Sequence, residues 1–255
     1  SVACFSEQSL ANKVDDILIV DDDYPPYSFK RHGKAQGVYI DILQAVFQNM
    51  PDYNVTLQPL PWPWGKMVKA GLAFALAPVF CHGHDWPWLY PYSLSFYEEN
   101  FIVVCRSDVL LTPRPNWPED YINLSIHNIP GFDGWGGRRF RQLVAEGKIV
   151  YREIRGVESN ILMLERRRAD CILTEETSFD NAYSRLRELS AERGADSDSK
   201  SEGDYAKLQK GPSTGKDSVH VGYSETAIRQ GKYEFQYDFR KQFDNNLYRS
   251  KRMEN

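Results

Sequence analysis

The chain has 255 residues, with 31 Lys and Arg against 35 Asp and Glu, and its formal net charge of −4 argues against nucleic-acid binding, which favours a basic surface. Its 6 Trp, 15 Tyr and 13 Phe exclude an intrinsically disordered chain, because such chains are poor in aromatic residues. The longest apolar runs are far shorter than the roughly 20 residues of a membrane span, and the length suits one large domain or two lobes.

The first hundred residues alternate between strand and helix patterns. Short apolar runs predict buried strands, and stretches of helical period between them predict amphipathic helices. The predicted strands are Ile17–Val20, Asn54–Leu57, Ala75–Phe80 and Phe101–Cys105, and the predicted helices are Gly37–Met50 and Trp64–Ala70. Strands separated by helices are typical of βαβ units, so a mostly parallel sheet is expected.

The same pattern restarts after a proline-rich joint at residues 113–118. The predicted strands are Leu124–Ile129, Ile149–Ile154, Cys171–Leu173 and Val219–Tyr223. The predicted helices are Trp135–Glu146, Val157–Arg168, a helix through Phe179 and Leu189, and a last helix with Phe235, Phe239, Phe243 and Leu247 at four-residue spacing. Residues 194–217 are polar and rich in Ser, Gly, Lys and Asp, which predicts a surface loop.

Two such runs predict an α/β protein with two lobes. Lobe 1 is expected to comprise residues 1–105 and 220–255, and lobe 2 residues 106–219. Two crossings, near 103–108 and 216–222, would form the hinge. Clefts between lobes of this kind are common binding sites for small ligands.

The four cysteines, Cys4, Cys81, Cys105 and Cys171, are too few for a disulfide scaffold and lack CxxC spacing. One bridge is possible, and Cys81–Cys105 is the first prediction, although pairing cannot be read from sequence. Because the chain begins at Ser1 without Met, a processed or truncated chain is expected. The segment Ser1–Cys4 resembles a lipoprotein cleavage site except that Ser1 stands where Leu is usual.

A loop near the N-terminus carries a family resemblance. The segment Asp21-Asp22-Asp23-Tyr24-Pro25-Pro26-Tyr27-Ser28-Phe29, followed by Gly37–Ile42, resembles the opening of the family 3 bacterial extracellular solute-binding proteins. These are periplasmic receptors of polar amino-acid ABC importers. Further pieces follow in the family's order, namely Pro61-Trp62, Tyr92–Tyr97, Phe101–Arg106 and Arg168–Ile172, so that the similarity covers roughly residues 14–250. The resemblance implies a type 2 periplasmic binding protein fold with two hinge crossings.

The resemblance also implies a set of ligand contacts. Asp21 stands where many members hold a polar contact, and Tyr24, with Tyr27 near it, where an aromatic ring covers the ligand. Glu175 stands at the place of the acid that binds an α-ammonium group. Gly131, Phe132 and Asp133 fall where backbone N–H groups at a helix start help to hold a carboxylate.

One departure from the family changes the expected ligand. Members usually carry an Arg that clamps the α-carboxylate, whereas this stretch reads Cys81-His82-Gly83-His84-Asp85-Trp86. Without an Arg fork an α-amino acid loses its strongest carboxylate contact. Aromatic and acidic residues, including Trp62 and Trp86, suit a cationic or largely apolar ligand better, through cation–π contacts and ion pairs.

Structural explanations compete with each of these assignments. Tyr24, Tyr27 and the tryptophans could be packing residues, Asp21 could cap a turn, and Glu175 could stabilise a helix start. Cys81, His82, His84 and Asp85 are suitable zinc or copper ligands, but no distant pair completes a standard spacing, so no metal is predicted. GxSxG, HExxH and phosphate-loop motifs are absent from the sequence, so no enzyme is predicted.

The sequence therefore predicts a periplasmic, monomeric receptor without a cofactor. It would capture an amino acid, an amine or a related small solute between two lobes and deliver it to the membrane permease of an ABC importer. The alternative is the extracytoplasmic sensor domain of a signalling protein, in which the helix reaching Asn255 would lead toward a membrane span.

Overall fold

A computed structural model describes residues 13–61, 65–81, 86–130, 133–195 and 205–253. The strands in chain order are β1 (Val14–Asp21), β2 (Asp23–Tyr24), β3 (Ser28–Arg31), β4 (Lys34–Gln36), β5 (Tyr53–Leu60), β6 (Ala75–Phe80), β7 (Leu89–Tyr92), β8 (Tyr97–Arg106), β9 (Ser125–Asn128), β10 (Val150–Glu153), β11 (Cys171–Glu175) and β12 (Leu208–Ser224). The helices are α1 (Val38–Gln48), α2 (Gly65–Lys69), α3 (Gly137–Ala145), α4 (Val157–Glu165), α5 (Glu176–Ala195), α6 (Glu225–Arg229) and α7 (Gln236–Met253). This mixed α/β composition confirms the predicted fold class.

The chain divides into two compact units. Among the described residues, the first unit contains those up to Asp22, those of Ser28–Phe96 and those from His220 on, and the second contains those of Asp23–Tyr27 and Tyr97–Val219. The division therefore assigns all of β8 to the second unit, where β8 pairs with β11 along Phe101–Cys105. The short segment Asp23–Tyr27 also belongs to the second unit, although its neighbours in sequence belong to the first.

A parallel sheet forms the centre of the first unit. Strand β1 pairs in parallel with β5 and with β6, as the sequence predicted for βαβ units. The apolar end of β1 is fully covered, since Leu18, Ile19 and Val20 are at most 2% exposed. Helix α7 buries Phe239, Phe243 and Leu247, whereas Phe235 precedes the helix. No helix among the described residues is both long enough and apolar enough to cross a membrane.

The sheet of the second unit has the strand order β10-β9-β11-β8-β12. Strand β9 is parallel to β10 and to β11, but β8 is antiparallel to both β11 and β12. The expectation of a mostly parallel sheet is therefore wrong for β8. An apolar run such as Phe101–Cys105 indicates that a strand is buried on both faces but carries no information about its direction.

The predicted surface loop 194–217 is wrong over residues 208–217, which form the first part of β12. Residues 196–204 lie outside the described part of the chain. The backbone of this part of β12 pairs with β8, while many of its side chains are exposed to solvent. Polar side chains are therefore tolerated in it. Backbone pairing rather than an apolar pattern thus defines the strand, so the sequence pattern misses it.

The disulfide joins Cys105 to Cys171, with a Cα–Cα distance of 4.0 Å. The first prediction, Cys81–Cys105, is wrong because Cys105 on β8 stands directly opposite Cys171 on β11. Among the described cysteines, Cys81 is exposed and lies outside the disulfide. Both bridged residues are fully buried in a cluster that includes Val103, Tyr121 and Phe140.

Candidate functional site

The segment Asp23–Tyr27 brings an aromatic ring to a buried acid within the second unit. The Tyr24 hydroxyl donates a hydrogen bond to Glu99 Oε2 at 2.7 Å. Tyr24 is 2% exposed and Glu99 is fully buried. A hydrogen bond to a buried carboxylate is strong, because a carboxylate left without partners in the interior is costly.

A second acid of this unit receives a similar contact. Glu175 ends β11 and is 2% exposed, and its Oε2 accepts a hydrogen bond at 2.7 Å from the backbone N–H of Ser178 in the first turn of α5. Tyr27 hydrogen-bonds the same carboxylate. The Ser178 hydroxyl donates to the carbonyl of Pro25 at 3.1 Å. The loop carrying both tyrosines is thus attached to the start of α5.

Burial raises the pKa values of both Glu175 and Tyr27. Burial raises the pKa of Glu175 above its ordinary value, although hydrogen bonds from Ser178, Thr177 and Tyr27 oppose the rise. Burial also raises the pKa of Tyr27, and the nearby charge of Glu175 adds to that rise. Tyr27 therefore stays a neutral phenol at physiological pH. Its hydroxyl can donate a hydrogen bond to the Glu175 carboxylate or accept one from another group.

Aromatic rings surround the two acids. The rings of Tyr24 and Tyr27 lie 5.4 Å apart, and the Tyr24 ring lies 6.3 Å from that of Trp135. Trp135 stacks on Phe101 at 4.8 Å. The Thr214 hydroxyl donates a hydrogen bond of 2.9 Å to the backbone carbonyl of Trp135. Aromatic rings near carboxylates are suited to an organic cation.

The alternation of side chains along β8 explains how these groups meet. Tyr97, Glu99 and Phe101 lie on one face of the strand, since residues two apart share a face. Each contacts one member of the aromatic set: Tyr97 meets Tyr27 at 5.3 Å between ring centroids, Glu99 binds Tyr24, and Phe101 stacks on Trp135. Glu175 joins the same face because it stands directly opposite Phe101 in the β8–β11 ladder.

Asn100, on the opposite face of β8, belongs to a separate polar network. Asn100 Nδ2 donates to Glu176 Oε2 at 2.9 Å, and Lys210 Nζ donates to Glu176 Oε1 at 3.1 Å. These contacts from Asn100 and Lys210 lower the pKa of Glu176. The adjacent acids Glu175 and Glu176 therefore have opposite pKa shifts, because one is buried beside phenols and the other is paired with an ammonium group.

The remaining predicted site residues are placed as follows. Asp21 ends β1 in the first unit and is 6% exposed, and its backbone carbonyl accepts a hydrogen bond from the Ser28 hydroxyl at 2.6 Å. Trp86 also belongs to the first unit, where it stacks on Trp88 at 5.2 Å and packs against a hydrophobic cluster. Trp62 and Phe132 lie outside the described residues. Asp133 starts a short 3-10 helix, and its side chain is not described.

The metal-like cluster of the sequence also falls largely outside the described residues, since only Cys81 of Cys81, His82, His84 and Asp85 is included. Across the described ranges, no group of three His, Cys, Asp or Glu side chains is arranged to hold a metal ion.

Sequence reasoning missed Glu99 and Trp135 as members of this cluster. Glu99 lies on the same face of β8 as Tyr97 and Phe101, and this face continues to the apolar Val103. An acid on the buried face of a strand was the signal in the sequence that could have identified Glu99. Trp135 follows the glycine-rich run that starts at Gly131 and was assigned to a helix. It instead lies in the 3-10 turn Asp133–Gly136, which directs its ring onto Phe101.

No protein-family model matches the sequence, and no curated protein matches it significantly. The structure, in contrast, is similar to several solved structures. One is ArgBP from T. maritima, with 13% identity, a TM-score of 0.62, and coverage of 94% of this chain and 90% of that chain. Another comes from work on glutathione import via GshT and the cystine ABC importer TcyBC of Streptococcus mutans, with 16% identity, a TM-score of 0.65, and coverage of 92% and 88%.

A third similar structure is a histidine kinase sensor domain with similarity to periplasmic binding proteins, with 13% identity, a TM-score of 0.67, and coverage of 94% and 92%. The chain has the periplasmic-binding-protein fold. The resemblance noted in the sequence is thereby confirmed for the fold. At identities of 11–16% the likeness carries the periplasmic-binding-protein fold and not the ligand, which has to be argued from the site.

Proposed function

We propose that the protein is an extracytoplasmic receptor that binds a small organic cation. The observation that carries this proposal is the pair of buried acids, Glu99 and Glu175, each in contact with a tyrosine of the segment Asp23–Tyr27. Buried carboxylates with aromatic residues beside them favour a cationic ligand through ion pairing and cation–π attraction. The absence of Arg from the sequence Cys81–Trp88 agrees with a ligand that needs no carboxylate clamp.

Two further features support a receptor outside the cytoplasm. Solved proteins with this fold include a binding protein named for arginine and one studied in glutathione import. The buried Cys105–Cys171 disulfide is typical of proteins in oxidising compartments. Delivery to the permease of an ABC importer, by a monomeric protein, is the corresponding biological role.

A sensor domain is the second candidate function, because a histidine kinase sensor domain has the same fold at a TM-score of 0.67. A sensor would use the same ligand chemistry but report occupancy to a cytoplasmic domain. The full gene discriminates between the two, since a sensor requires a membrane-spanning segment and a kinase or comparable output domain in the same polypeptide.

A thermal-shift screen of the purified protein tests the proposal. The compounds are amines, quaternary ammonium ions, standard amino acids, small carboxylates and divalent metals. A ligand that binds the native state raises the melting temperature by mass action. Stabilisation by amines without a carboxylate is expected. Stabilisation by neutral or anionic amino acids alone would overturn the cationic assignment, and stabilisation by zinc alone would move the site to Cys81 and its neighbours.

A further inference from the structure

We propose that the first unit contains a second binding site, for an aromatic monocarboxylate that also carries a hydroxyl or N–H group. This site is independent of the proposed receptor function, because its lining residues belong to the first unit, whereas Glu99 and Glu175 belong to the second. The proposal rests on a pocket, on a buried hydrogen-bond acceptor that no described residue satisfies, and on two cations at the same pocket.

The pocket lies where the turn after α6 leads into α7. Its volume is about 330 Å³, which is within the range of small-molecule sites. Ile228 of α6 and Tyr237 of α7 line the pocket and are 44% and 70% exposed. A ligand ring that covers these two side chains removes apolar surface from water, which favours binding. The pocket therefore suits a small ligand with an aromatic ring.

Hydrogen bonds attach this turn to the connection between α2 and β6. The Tyr233 hydroxyl donates to the Leu72 carbonyl at 3.1 Å, and Lys232 Nζ donates to the Gly71 carbonyl at 3.3 Å. The Tyr233 ring also packs against Phe74, with 6.0 Å between the ring centroids. Both Lys232 and Tyr233 line the pocket. Its walls are therefore held in place before a ligand arrives, which reduces the entropic cost of binding.

Gln236 supplies the buried acceptor. It lines the pocket at 5% exposure, and the other lining residues are more exposed. Its Nε2 donates to the Phe74 carbonyl at 3.3 Å, which fixes the orientation of the amide. Its Oε1 is buried and accepts no hydrogen bond from the described residues. Leaving a buried acceptor unpaired is costly, so a hydroxyl or N–H group of a ligand would gain a hydrogen bond here.

Lys232 and Arg240 determine the charge that the pocket prefers. The Arg240 guanidinium lies 5.6 Å from the centroid of the Tyr237 ring, and Asp244, one turn further along α7, is bonded to the Leu94 N–H instead. Within the described part of the chain, neither cation is in an ion pair, and Glu234 is the only acid that lines the pocket. Two cations against one acid favour a ligand with a single negative charge, and a guanidinium is well suited to a carboxylate.

The spacing along α7 relates the acceptor to the cation. Gln236 and Arg240 are four residues apart on one helix, so they share a face with their Cβ atoms about 5–6 Å apart. A benzene ring separates its two para substituents by a similar distance. One ring can therefore present a carboxylate to Arg240 and a hydroxyl to Gln236 while it lies against Tyr237.

Isothermal titration calorimetry with three related compounds tests the site. The probes are 4-hydroxyphenylacetate, phenylacetate, which lacks the hydroxyl, and 4-hydroxybenzyl alcohol, which lacks the carboxylate. We expect 4-hydroxyphenylacetate to bind about fivefold more tightly than phenylacetate, the effect of one hydrogen bond, and at least about tenfold more tightly than the alcohol. Absence of binding by either carboxylate at millimolar concentration, or equal binding of the alcohol, would overturn the proposal.

Two variants assign the polar contacts. Gln236→Met retains the length of the side chain without the acceptor, so it should abolish the preference for 4-hydroxyphenylacetate over phenylacetate. Arg240→Gln should weaken binding of both carboxylates about tenfold. Arg229→Gln is the matched control, because Arg229 is exposed, pairs with Glu225 at 2.6 Å and does not line the pocket. A Gln236→Met protein that keeps the preference, or an Arg240→Gln protein that binds like wild type, contradicts the assignment.

A third variant does not depend on a buried position. If Gln236→Met does not fold, Tyr237→Ala replaces it, because Tyr237 is 70% exposed. Loss of the ring should weaken both carboxylates about fivefold, and unchanged affinities would contradict the site. Amine binding by the wild-type protein tests the receptor separately. Arg240→Gln should leave amine binding unchanged, so either site can fail without the other.

Discussion

Tyr24 and Glu99 are 75 residues apart in sequence, yet the phenol hydroxyl donates to the buried carboxylate at 2.7 Å. The contact joins the segment Asp23–Tyr27 to β8, and Tyr27 of the same segment also hydrogen-bonds Glu175 at the end of β11. The segment therefore contributes to the polar interior of the second unit as well as to the candidate ligand site.

Tyr24→Phe should lower the free energy of unfolding by about 1–3 kcal/mol, because it removes a donor from a buried carboxylate while keeping the ring. Urea denaturation followed by circular dichroism measures the change. Tyr237→Phe is the matched control, since Tyr237 is 70% exposed, and it should change stability by less than about 0.5 kcal/mol. A Tyr24→Phe protein as stable as the control would show that the hydroxyl contributes nothing to the fold.

The adjacent acids Glu175 and Glu176 should have opposite effects on the pH dependence of stability. The pKa of Glu175 is raised by burial, so the folded state holds its proton more tightly than the unfolded state, whose pKa is near 4.5. Its contribution to stability is therefore fully present below pH 4.5 and is lost as the pH rises through the folded-state pKa. The stability of wild type relative to Glu175→Gln should accordingly fall as the pH rises above 4.5.

Glu176 provides the comparison in the same protein. Its pKa is lowered by Asn100 and Lys210, so its contribution is present above pH 4.5 and is lost as the pH falls through the lower, folded-state pKa. The stability of wild type relative to Glu176→Gln should therefore fall as the pH is lowered below 4.5. Unfolding free energies measured between pH 3 and pH 7 for all three proteins check both signs, and slopes of the same sign would contradict the assignment.

Removal of the Cys105–Cys171 disulfide should be strongly destabilising. The bridge closes a separation of 66 residues, for which chain entropy alone corresponds to about 4 kcal/mol, and native disulfides contribute about 2–5 kcal/mol. The double variant Cys105→Ala/Cys171→Ala is expected to lose stability in this range in guanidinium titrations. Cys81→Ser is the control, because Cys81 is exposed and lies outside the bridge, and a comparable loss in that variant would be inconsistent with the structure.

Gly136→Ala should disturb the turn that carries Trp135. A Cβ at residue 136 would clash with Phe140 Cδ1, and the Phe140 ring is itself packed against Trp117 at 5.2 Å. Overpacking of this kind costs about 1–3 kcal/mol. Gly65→Ala in α2 is the control, since the added Cβ would lie at an ordinary van der Waals distance of 3.5 Å from Leu76. Urea midpoints of the two variants give the comparison, and equal midpoints would mean that Phe140 moves aside easily.

The sequence predicts the elements of this fold better than their pairing. Apolar runs such as Ile17–Val20 and Ala75–Phe80 lie in buried strands, because burial on both faces demands continuous hydrophobicity. The direction of β8, the polar part of β12 and the partner of Cys105 depend on contacts between residues far apart in sequence. No local pattern records such contacts.

Some residues of the candidate site were likewise predictable from the sequence, and others were not. Tyr24 and Glu175 were proposed from a family resemblance and Tyr27 as an aromatic residue of the same loop, and the structure brings all three into one cluster within the second unit. Glu99 has no such motif around it. Its role depends on the register of β8 against β11, which only the folded structure reveals.

The disulfide described above has a consequence for that register. Cys105 and Cys171 are bonded at directly opposed positions, four residues from Phe101 and Glu175 on the same two strands. A slip of one residue between β8 and β11 would turn every side chain of the slipped strand to the other face and carry Glu175 away from Glu99. The covalent bond forbids that slip. The cross-link at the apolar end of the ladder thus keeps the two acids aligned at its polar end.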